Sequence, residues 1–350
     1  MSDANIDISG HVRTRAQTEG RELSYPPLPE ALTVGIYDNH THLEIADGDN
    51  PLDYREQLDR ASAVGVRGVI QVGGDVPTSQ WSAATAAIEP RMLAAVAIHP
   101  NEAPIYDTAG GPDGSWQGGL DAAIAEIDRL AGLPRVVAVG ETGLDYFRTG
   151  EEGRAAQHRS FEAHIDIAKR HGLAMQIHDR DAHDAVIETL LRVGAPERTV
   201  FHCFSGDAEM AKVCADNGWF LSFAGTVTFK NAQNLRDALA VIPRSQILVE
   251  TDAPFLTPTP FRGRPNAPYL LPLTLRAIAS ELGTDVGMLA AQVNSNTELV
   301  YGRWDAEPVG SLTPAAAVSA APRSAPLSAS PAVSPATTSP GNTEAIGGIA

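Results

Sequence analysis

Residues 34–42 read Val-Gly-Ile-Tyr-Asp-Asn-His-Thr-His, a short apolar run that ends in two histidines. The run has the length of a buried strand, and residues two apart in an extended chain point to the same side. His40 and His42 are therefore placed to reach one cation. An isolated pair is equally typical of ordinary loop histidines. The pair gains significance because other apolar runs in the chain also end in polar, chemically active groups.

Seven further apolar runs follow the first, and helical patterns separate them. We predict strands at residues 34–38, 66–72, 92–98, 136–140, 173–177, 199–203, 219–224 and 246–251. Near-continuous hydrophobic strands are expected of a parallel sheet that is covered on both faces. Eight strand–helix units predict a (β/α)8 TIM barrel of the α/β class. A doubly wound open sheet is the alternative, but it usually binds its ligand at a single switch point.

The composition excludes several classes of protein. The net charge of −17 argues against coating duplex DNA by bulk electrostatics, although a local basic rim around a cleft is compatible with it. Only two cysteines occur, Cys203 and Cys214, which fits a reducing cytoplasm rather than a disulfide framework. No run reaches the length of a membrane span, and the first thirty residues have no signal-peptide core. We therefore predict a cytoplasmic protein with no membrane partner.

Both ends of the chain differ from its middle. Residues 1–30 lack periodicity and finish in several prolines, so we predict an N-terminal extension with little regular structure. Residues 305–350 are rich in Ala, Pro and Ser and hold almost no large apolar residue. Such a segment cannot offset its ordering entropy, which predicts a disordered tail. The barrel domain is then 31–304, and the sequence gives no indication of the oligomeric state.

Four more groups close or directly follow predicted strands, and these are Glu141, His178, His202 and Asp252. Each alone has an ordinary explanation, such as a turn-fixing carboxylate or a structural histidine. In a barrel, however, the C-terminal ends of all strands open on one face, so the four groups and the first histidine pair gather at one mouth. Carboxylate and imidazole ligands suit Zn²⁺, Mn²⁺ or Mg²⁺, and six groups exceed the needs of one tetrahedral ion. We predict two divalent metal ions. Glu141 is the candidate bridge, since no lysine follows a strand as a carbamylated bridge would.

Longer segments around these groups resemble the TatD-type metal-dependent DNases, which are barrel hydrolases within the wider amidohydrolase group. The similar segments are Asp-Asn-His-Thr-His-Leu at 38–43, Ala-Ile-His-Pro at 97–100, Gly-Glu-Thr-Gly-Leu-Asp-Tyr at 140–146, Gln-Ile-His-Asp-Arg at 176–180, His-Cys-Phe-Ser-Gly at 202–206, Gly-Thr-Val-Thr-Phe-Lys-Asn-Ala at 225–232, Glu-Thr-Asp-Ala-Pro-Phe-Leu at 250–256 and Phe-Arg-Gly-Arg-Pro-Asn-Ala-Pro at 261–268. The resemblance covers most of residues 34–302. Asn39 stands where the family usually has Ser or Thr, Glu44 where it often has Asp, and Arg264 where it has Lys.

The resemblance implies how the ligands divide between two metals. It assigns one metal to His40, His42, Glu141 and Asp252, and it has Glu141 bridge to a second metal that His178 and His202 also hold. Glu141 and Asp252 are then the candidate catalytic residues. Asp252 is expected to act as both ligand and proton acceptor while a metal-activated water attacks a phosphodiester in line.

The expected substrate contacts lie on the same face. The candidate substrate-binding residues are Arg180, Lys230, Arg262, Arg264 and His99. Arg180 is two residues past a ligand and therefore belongs to the mouth, whereas Lys230, Arg262 and Arg264 rest mainly on the resemblance. A single Arg or Lys is usually no more than a solvated surface charge. His99 is predicted to face the substrate or to support a ligand rather than to bind metal.

The predicted reaction is metal-dependent hydrolysis of phosphodiester bonds in single-stranded DNA, with RNA left open. An open barrel mouth admits a splayed strand end more easily than a duplex. One alternative keeps the metals but changes the bond to that of a lactone, an amide or another ester such as a phosphotriester, because a fold does not fix its substrate. The other alternative is a non-catalytic protein that docks through its tail.

Overall fold

Eight parallel strands form a nearly closed barrel in the computed structural model, which describes residues 8–17, 20–112, 114 and 116–304. The strands are β1 (Arg13–Thr14), β2 (Ile36–Thr41), β3 (Ile45–Ala46), β4 (Val66–Val72), β5 (Met92–Val96), β6 (Val136–Asp145), β7 (Ala174–Arg180), β8 (Thr199–Phe201), β9 (Phe220–Phe223) and β10 (Ile247–Val249). The barrel order is β2, β4, β5, β6, β7, β8, β9, β10, with neighbours in sequence also neighbours in space. The prediction of a TIM barrel is confirmed, and the open-sheet alternative is wrong.

The barrel closes between its first and last strands through the segment that follows β10. Thr41 forms a parallel bridge with Ala253. The Asp252 N–H donates to the His40 carbonyl at 2.9 Å, and the His42 N–H donates to the Ala253 carbonyl at 2.7 Å. Because these bonds join His40 and His42 to Asp252 and its neighbour Ala253, closing the barrel also sets the positions of the three candidate ligands relative to one another.

Helices cover the outside of the barrel. They are α1 (Tyr54–Ala63), α2 (Val76–Ala86), α3 (Ala103–Ala109), α4 (Gly119–Ala131), α5 (Glu151–His171), α6 (His183–Val193), α7 (Ala208–Asp216), α8 (Gln233–Val241), α9 (Leu271–Glu281) and α10 (Val286–Tyr301). In α5, acidic residues occupy the first turn and basic residues the last, which complements the helix dipole, and Gly172 ends the helix at φ +63°. Among the described residues, no helix is both long and apolar enough to cross a membrane.

The hydrophobic core has an outer and an inner part. The outer part lies between strands and helices, and the inner part fills the lumen with residues such as Tyr37, Ile70 and Leu248. Trp304 stacks on Tyr37 with ring centroids 4.2 Å apart near the start of the strands. Packing therefore fills the barrel from the N-terminal ends of its strands, and the polar groups concentrate at the opposite, C-terminal ends.

In the described part of residues 8–30, β1 pairs in parallel with β3 in a separate two-stranded sheet. Side-chain bonds to the loops after β10, such as that from Arg15 Nη1 to the Pro254 carbonyl, add further contacts. The described residues belong to a unit spanning Met1–Ser311, and the other unit spans Leu312–Ala350. The tail predicted at residues 305–350 lies outside the described residues. The division of the chain at residues 30 and 304 stays a prediction.

Candidate metal centre

The barrel brings the six candidate ligands together at the C-terminal ends of its strands. Five are buried and His178 is partly exposed. Their positions are His40 within β2, His42 directly after it, Glu141 within β6, His178 within β7, His202 directly after β8, and Asp252 three residues past the end of β10. Strands that are distant in sequence thus contribute to one cluster, as expected for parallel strands in a barrel.

Four atoms surround one potential cation position. His40 Nε2 and His42 Nε2 lie 3.2 Å apart. Asp252 Oδ1 is 3.8 and 3.5 Å from these two nitrogens, and Glu141 Oε2 is 3.8 and 3.7 Å from them. Ligands on a tetrahedron around Zn²⁺ are about 3.4 Å apart when each metal–ligand bond is about 2.0–2.1 Å. The spacing of the four atoms therefore suits one divalent ion.

The other oxygen of Glu141 faces a second group of histidines. Oε1 lies 2.7 Å from His178 Nδ1, 2.7 Å from His202 Nε2 and 3.4 Å from His99 Nε2. The two oxygens of one carboxylate thus point to different imidazole sets. A bridging carboxylate requires this arrangement, and among the described residues Glu141 belongs to two of the three groups whose atoms converge closely enough to hold a metal.

Each of three histidines uses its second nitrogen to contact an outer acceptor. His42 Nδ1 donates to the Val72 carbonyl at 2.9 Å. His202 Nδ1 is 3.1 Å from Glu250 Oε1, and His178 Nε2 is 3.2 Å from Asp145 Oδ2. A neutral imidazole carries one N–H, so these contacts leave the nitrogen that faces the centre with a lone pair. A nitrogen lone pair that faces a carboxylate oxygen is repelled by it unless a proton or a cation lies between the two atoms. The nitrogen and oxygen donors of this centre are suited to holding a divalent cation in that position.

The pKa directions show the same preference for positive charge. Burial alone would lower the pKa of His42, but the Asp252 and Glu44 carboxylates raise it well above its ordinary value. Burial likewise opposes protonation of His202, and Glu141 and Glu250 raise its pKa well above the usual range. Burial would raise the pKa of Glu141, but the facing histidines hold it well below its usual range. Two divalent cations would supply the positive charge that this cluster favours.

Several buried groups around the centre were not predicted as site residues from the sequence. Glu44, Asp145 and Glu250 are almost fully buried and lie within contact of candidate ligands. Asp145 closes β6 and Glu250 directly follows β10. Both are therefore polar groups at strand ends, which is the same pattern that identified the candidate ligands. His99, predicted to support a ligand or face substrate, lies inside the histidine cluster with its ring centroid 4.5 Å from that of His178.

The candidate substrate cations have different surroundings. Arg180 ends β7 and stacks on the exposed Phe147 ring at 3.8 Å. Arg262 stacks on Phe229 at 4.4 Å, next to the exposed Lys230, on loops that follow β10 and β9. The Arg264 guanidinium instead donates to the carbonyls of Ser24 and Tyr25 at 3.0 and 2.9 Å. It therefore anchors the N-terminal segment.

The barrel and its cluster of histidines and carboxylates define the class of metal-dependent barrel hydrolases. The family model of the TatD related DNases matches residues 37–302, and the chain belongs to this family.

Two relatives of known sequence and one solved structure illustrate this membership. The chain is 43% identical over 271 residues to the uncharacterized metal-dependent hydrolase TatD of Mycobacterium tuberculosis, which covers 76% of this chain and 98% of that protein. It is 34% identical over 260 residues to the 3'-5' ssDNA/RNA exonuclease TatD of Escherichia fergusonii, with 71% and 93% covered. The crystal structure of YJJV, a TatD homolog from Escherichia coli, matches with a TM-score of 0.66 at 26% identity and covers 77% of this chain and 98% of that one.

Proposed function

We propose that this chain is a two-metal nuclease that hydrolyses phosphodiester bonds of single-stranded DNA and releases nucleotides from a strand end. The observation that carries the proposal is the placement of the two Glu141 oxygens against separate histidine sets. A relative named as a 3'-5' ssDNA/RNA exonuclease supports the substrate class and makes RNA a second polymer to test.

The residues of the chain provide orientation and a proton acceptor. When bound, two divalent cations would lower the pKa of a bound water toward about 7 and neutralise charge on the attacked phosphate. The Asp252 backbone is fixed by its hydrogen bond to the His40 carbonyl, and its carboxylate borders the same space. In this proposal, Asp252 takes the proton of the attacking water. The outer contacts of His42, His178 and His202 hold the imidazole rings before substrate arrives, which limits reorganisation during the reaction.

The rim offers contacts suited to a single strand. Arg180 with Phe147, and Arg262 with Phe229, each pair a cation with an aromatic face. Proteins that bind single strands combine backbone cations with aromatic surfaces on which unstacked bases lie. Because the whole chain has a net charge of −17, such local cations are needed to attract a phosphate backbone.

The alternative substrates make less use of these features. The metal centre alone would also suit the hydrolysis of a lactone, an amide or a phosphotriester. These substrates are uncharged, so they would not use the guanidinium groups of Arg180 and Arg262 at the rim. A non-catalytic role leaves the convergence of six buried or partly buried metal-type ligands without a purpose.

The test is digestion of labelled nucleic acid by the full chain. Single strands labelled at the 5' or the 3' end, the matching duplex and an RNA strand are incubated with Mg²⁺ or Mn²⁺, with and without chelator. We expect single-stranded DNA to be shortened, chelator to stop the reaction, and Glu141→Ala to slow it by more than about 100-fold. Glu281→Gln, which changes an exposed carboxylate on α9, is the control and should retain full activity. If neither chelator nor Glu141→Ala changed digestion, the proposal would be wrong.

A further inference from the structure

A segment outside the family match lies beside the metal centre. The family model begins at residue 37, whereas β1 lies along the loop that directly follows the candidate ligand His42. The backbone bonds that hold it are Val12 N to Glu44 O at 2.9 Å, Arg13 N to Glu44 O at 3.2 Å and Arg15 N to Ala46 O at 2.9 Å. Residues 12–15 are therefore held along the rim of the mouth.

The Arg15 side chain lies next to a ring that packs against a candidate ligand. Its guanidinium lies 4.7 Å from the centroid of the Phe255 ring, and that ring packs edge-on against His42 with centroids 6.2 Å apart. Nη1 donates to the Pro254 carbonyl at 2.6 Å and to Asp47 Oδ2 at 3.1 Å. Both side-chain hydrogen bonds that Arg15 makes to described residues start at Nη1, and the side chain is 25% exposed. The Nε–Nη2 edge thus has donors left for a ligand.

The charge around Arg15 is incompletely balanced. Its buried partner Asp47 is shared with Arg21, whose Nη2 lies 2.8 Å from the same carboxylate oxygen. Two guanidinium groups on one carboxylate leave a net positive charge on these three groups, and the Asp252 carboxylate of the centre also attracts Arg15. Arg13, on the same strand, instead contacts both Asp75 and Glu102, so its charge is fully compensated. Among the described residues of the segment, Arg15 therefore combines incompletely balanced charge with unused donors, and it lies beside the candidate ligands.

We infer that Arg15 is a substrate-positioning residue that contacts a non-scissile phosphate of a single-stranded nucleic acid lying across the mouth. This inference rests on the proposed function. A guanidinium edge with two donors matches the geometry of a phosphate. Stacking on Phe255 and the two bonds from Nη1 hold the group in place before the strand arrives, which reduces the entropy lost on binding. The contact lies off the metal centre, so it affects strand binding more than bond cleavage.

The experiment compares a long and a short substrate in the full chain. Wild type, Arg15→Ala, Arg15→Lys and Arg13→Gln are assayed on a labelled single-stranded oligonucleotide and on bis(4-nitrophenyl) phosphate, a small diester that reaches only the metal centre. We expect Arg15→Ala to raise the KM for the oligonucleotide about 10-fold while kcat and small-diester activity stay within about 2-fold of wild type. Arg15→Lys should recover part of the loss because it keeps the charge without the planar fork. The slope of log affinity for the strand against log salt concentration should decrease by about 0.7 in Arg15→Ala.

Arg13→Gln is the matched control, since it removes one positive charge from the same strand. We expect it to raise the KM for the oligonucleotide much less than Arg15→Ala does. Equal losses in Arg13→Gln and Arg15→Ala would overturn the inference, because bulk charge or docking of the segment would then explain both. An unchanged KM in Arg15→Ala would also overturn it and would leave the nuclease proposal intact. A wild type that cleaves the small diester but no oligonucleotide would overturn the proposed function, and the role of Arg15 with it.

Discussion

Asp38 Oδ1 accepts a hydrogen bond from the Thr251 backbone N–H at 2.9 Å, across the seam where the barrel closes. The second carboxyl oxygen bonds to the Thr251 hydroxyl. Asp38 is fully buried, and burial raises its pKa to about 8 although hydrogen bonds from Thr251 and His40 act in the opposite direction. Burial therefore favours the protonated form of this carboxyl group. Because Asp38 lies two residues before His40, the same contact joins barrel closure to the candidate metal centre.

Two substitutions of Asp38 distinguish the contribution of its hydrogen bonds from that of its charge. A primary amide has nearly the shape of a protonated carboxyl group, and each has an acceptor oxygen and a hydrogen-bond donor on the neighbouring atom. We expect Asp38→Asn to change the free energy of unfolding by less than about 1 kcal/mol, whereas Asp38→Ala should lower it by about 2–3 kcal/mol because buried partners lose their bonds. Urea unfolding near neutral pH measures both. A greater loss for Asp38→Asn than for Asp38→Ala would indicate an ionised carboxylate at this position.

Glu250 provides a second prediction because it contacts the outer nitrogen of His202 at 3.1 Å. Removing an outer carboxylate lowers ligand basicity and loosens the orientation of the imidazole ring, and typically costs about 10–100-fold in metal affinity or activity. We expect Glu250→Ala to show a loss of this size, and Glu250→Gln a smaller one because the amide oxygen still accepts from Nδ1. Competition with a metal indicator of known affinity provides the measurement. Wild-type affinity in Glu250→Ala would contradict the assignment, and Glu281→Gln controls for a general change in charge.

Polar groups that end apolar strands lie close together in the structure because barrel topology makes distant strand ends meet. His178 and His202 are 24 residues apart in the sequence, yet His178 Nδ1 and His202 Nε2 each lie 2.7 Å from Glu141 Oε1. The strand limits were less accurate. The strand predicted at 136–140 continues to Asp145, and Gly143 permits this because it adopts φ +143° where a side chain would overlap the His178 carbonyl oxygen.

Side-chain direction beyond a strand end could not be predicted in the same way. Simple alternation predicts that the Cys203 thiol, next to His202, points into the helix layer. In the structure β8 ends at Phe201 and Cys203 has φ +41°, so the alternation stops. Burial raises the pKa of the thiol well above its usual range, and the carboxylates of Asp252, Glu250 and Glu141 act in the same direction.

The position of the N-terminal segment depends on pairs that are far apart in sequence. Arg264 donates to the Tyr25 carbonyl, and Arg21 Nε donates to the Gly263 carbonyl at 2.8 Å. The local composition of residues 1–30 predicts little regular structure and contains no indication of these partners. The contacts of this segment with the rest of the chain therefore could not be predicted from its sequence alone.

Metal removal should destabilise the fold as well as stop catalysis. A ligand that binds only the native state adds about 2.7 kcal/mol of stability at a free concentration 100 times its Kd. We expect Mn²⁺ or Zn²⁺ added to chelator-stripped protein to raise the midpoint of unfolding. Glu141→Ala removes the residue that both histidine sets face, so its midpoint should respond much less to the ion. Equal metal-induced shifts in wild type and Glu141→Ala would argue against a bridging role for Glu141.

Stability at mildly acidic pH should depend on His164, a buried histidine outside the metal centre. Its Nδ1 donates to the Ser160 carbonyl at 2.7 Å, and its Nε2 accepts from the Ile98 N–H at 3.0 Å, which ties α5 to the end of β5. Burial lowers its pKa to about 4, although the bond to Ser160 acts in the opposite direction. The unfolded chain takes up a proton near its ordinary pKa of about 6.5, whereas the folded chain does not until about 4. The unfolded state therefore binds more protons in this window. The contribution of neutral His164 to the free energy of unfolding is complete above pH about 6.5 and is lost as pH falls toward about 4, at up to about 1.4 kcal/mol per pH unit.

His164→Gln keeps an acceptor for Ile98 and cannot be protonated, so we expect it to be less stable than wild type at neutral pH but to lose stability more slowly on acidification. Urea unfolding at several pH values across the window tests this, and parallel pH profiles for wild type and His164→Gln would contradict it.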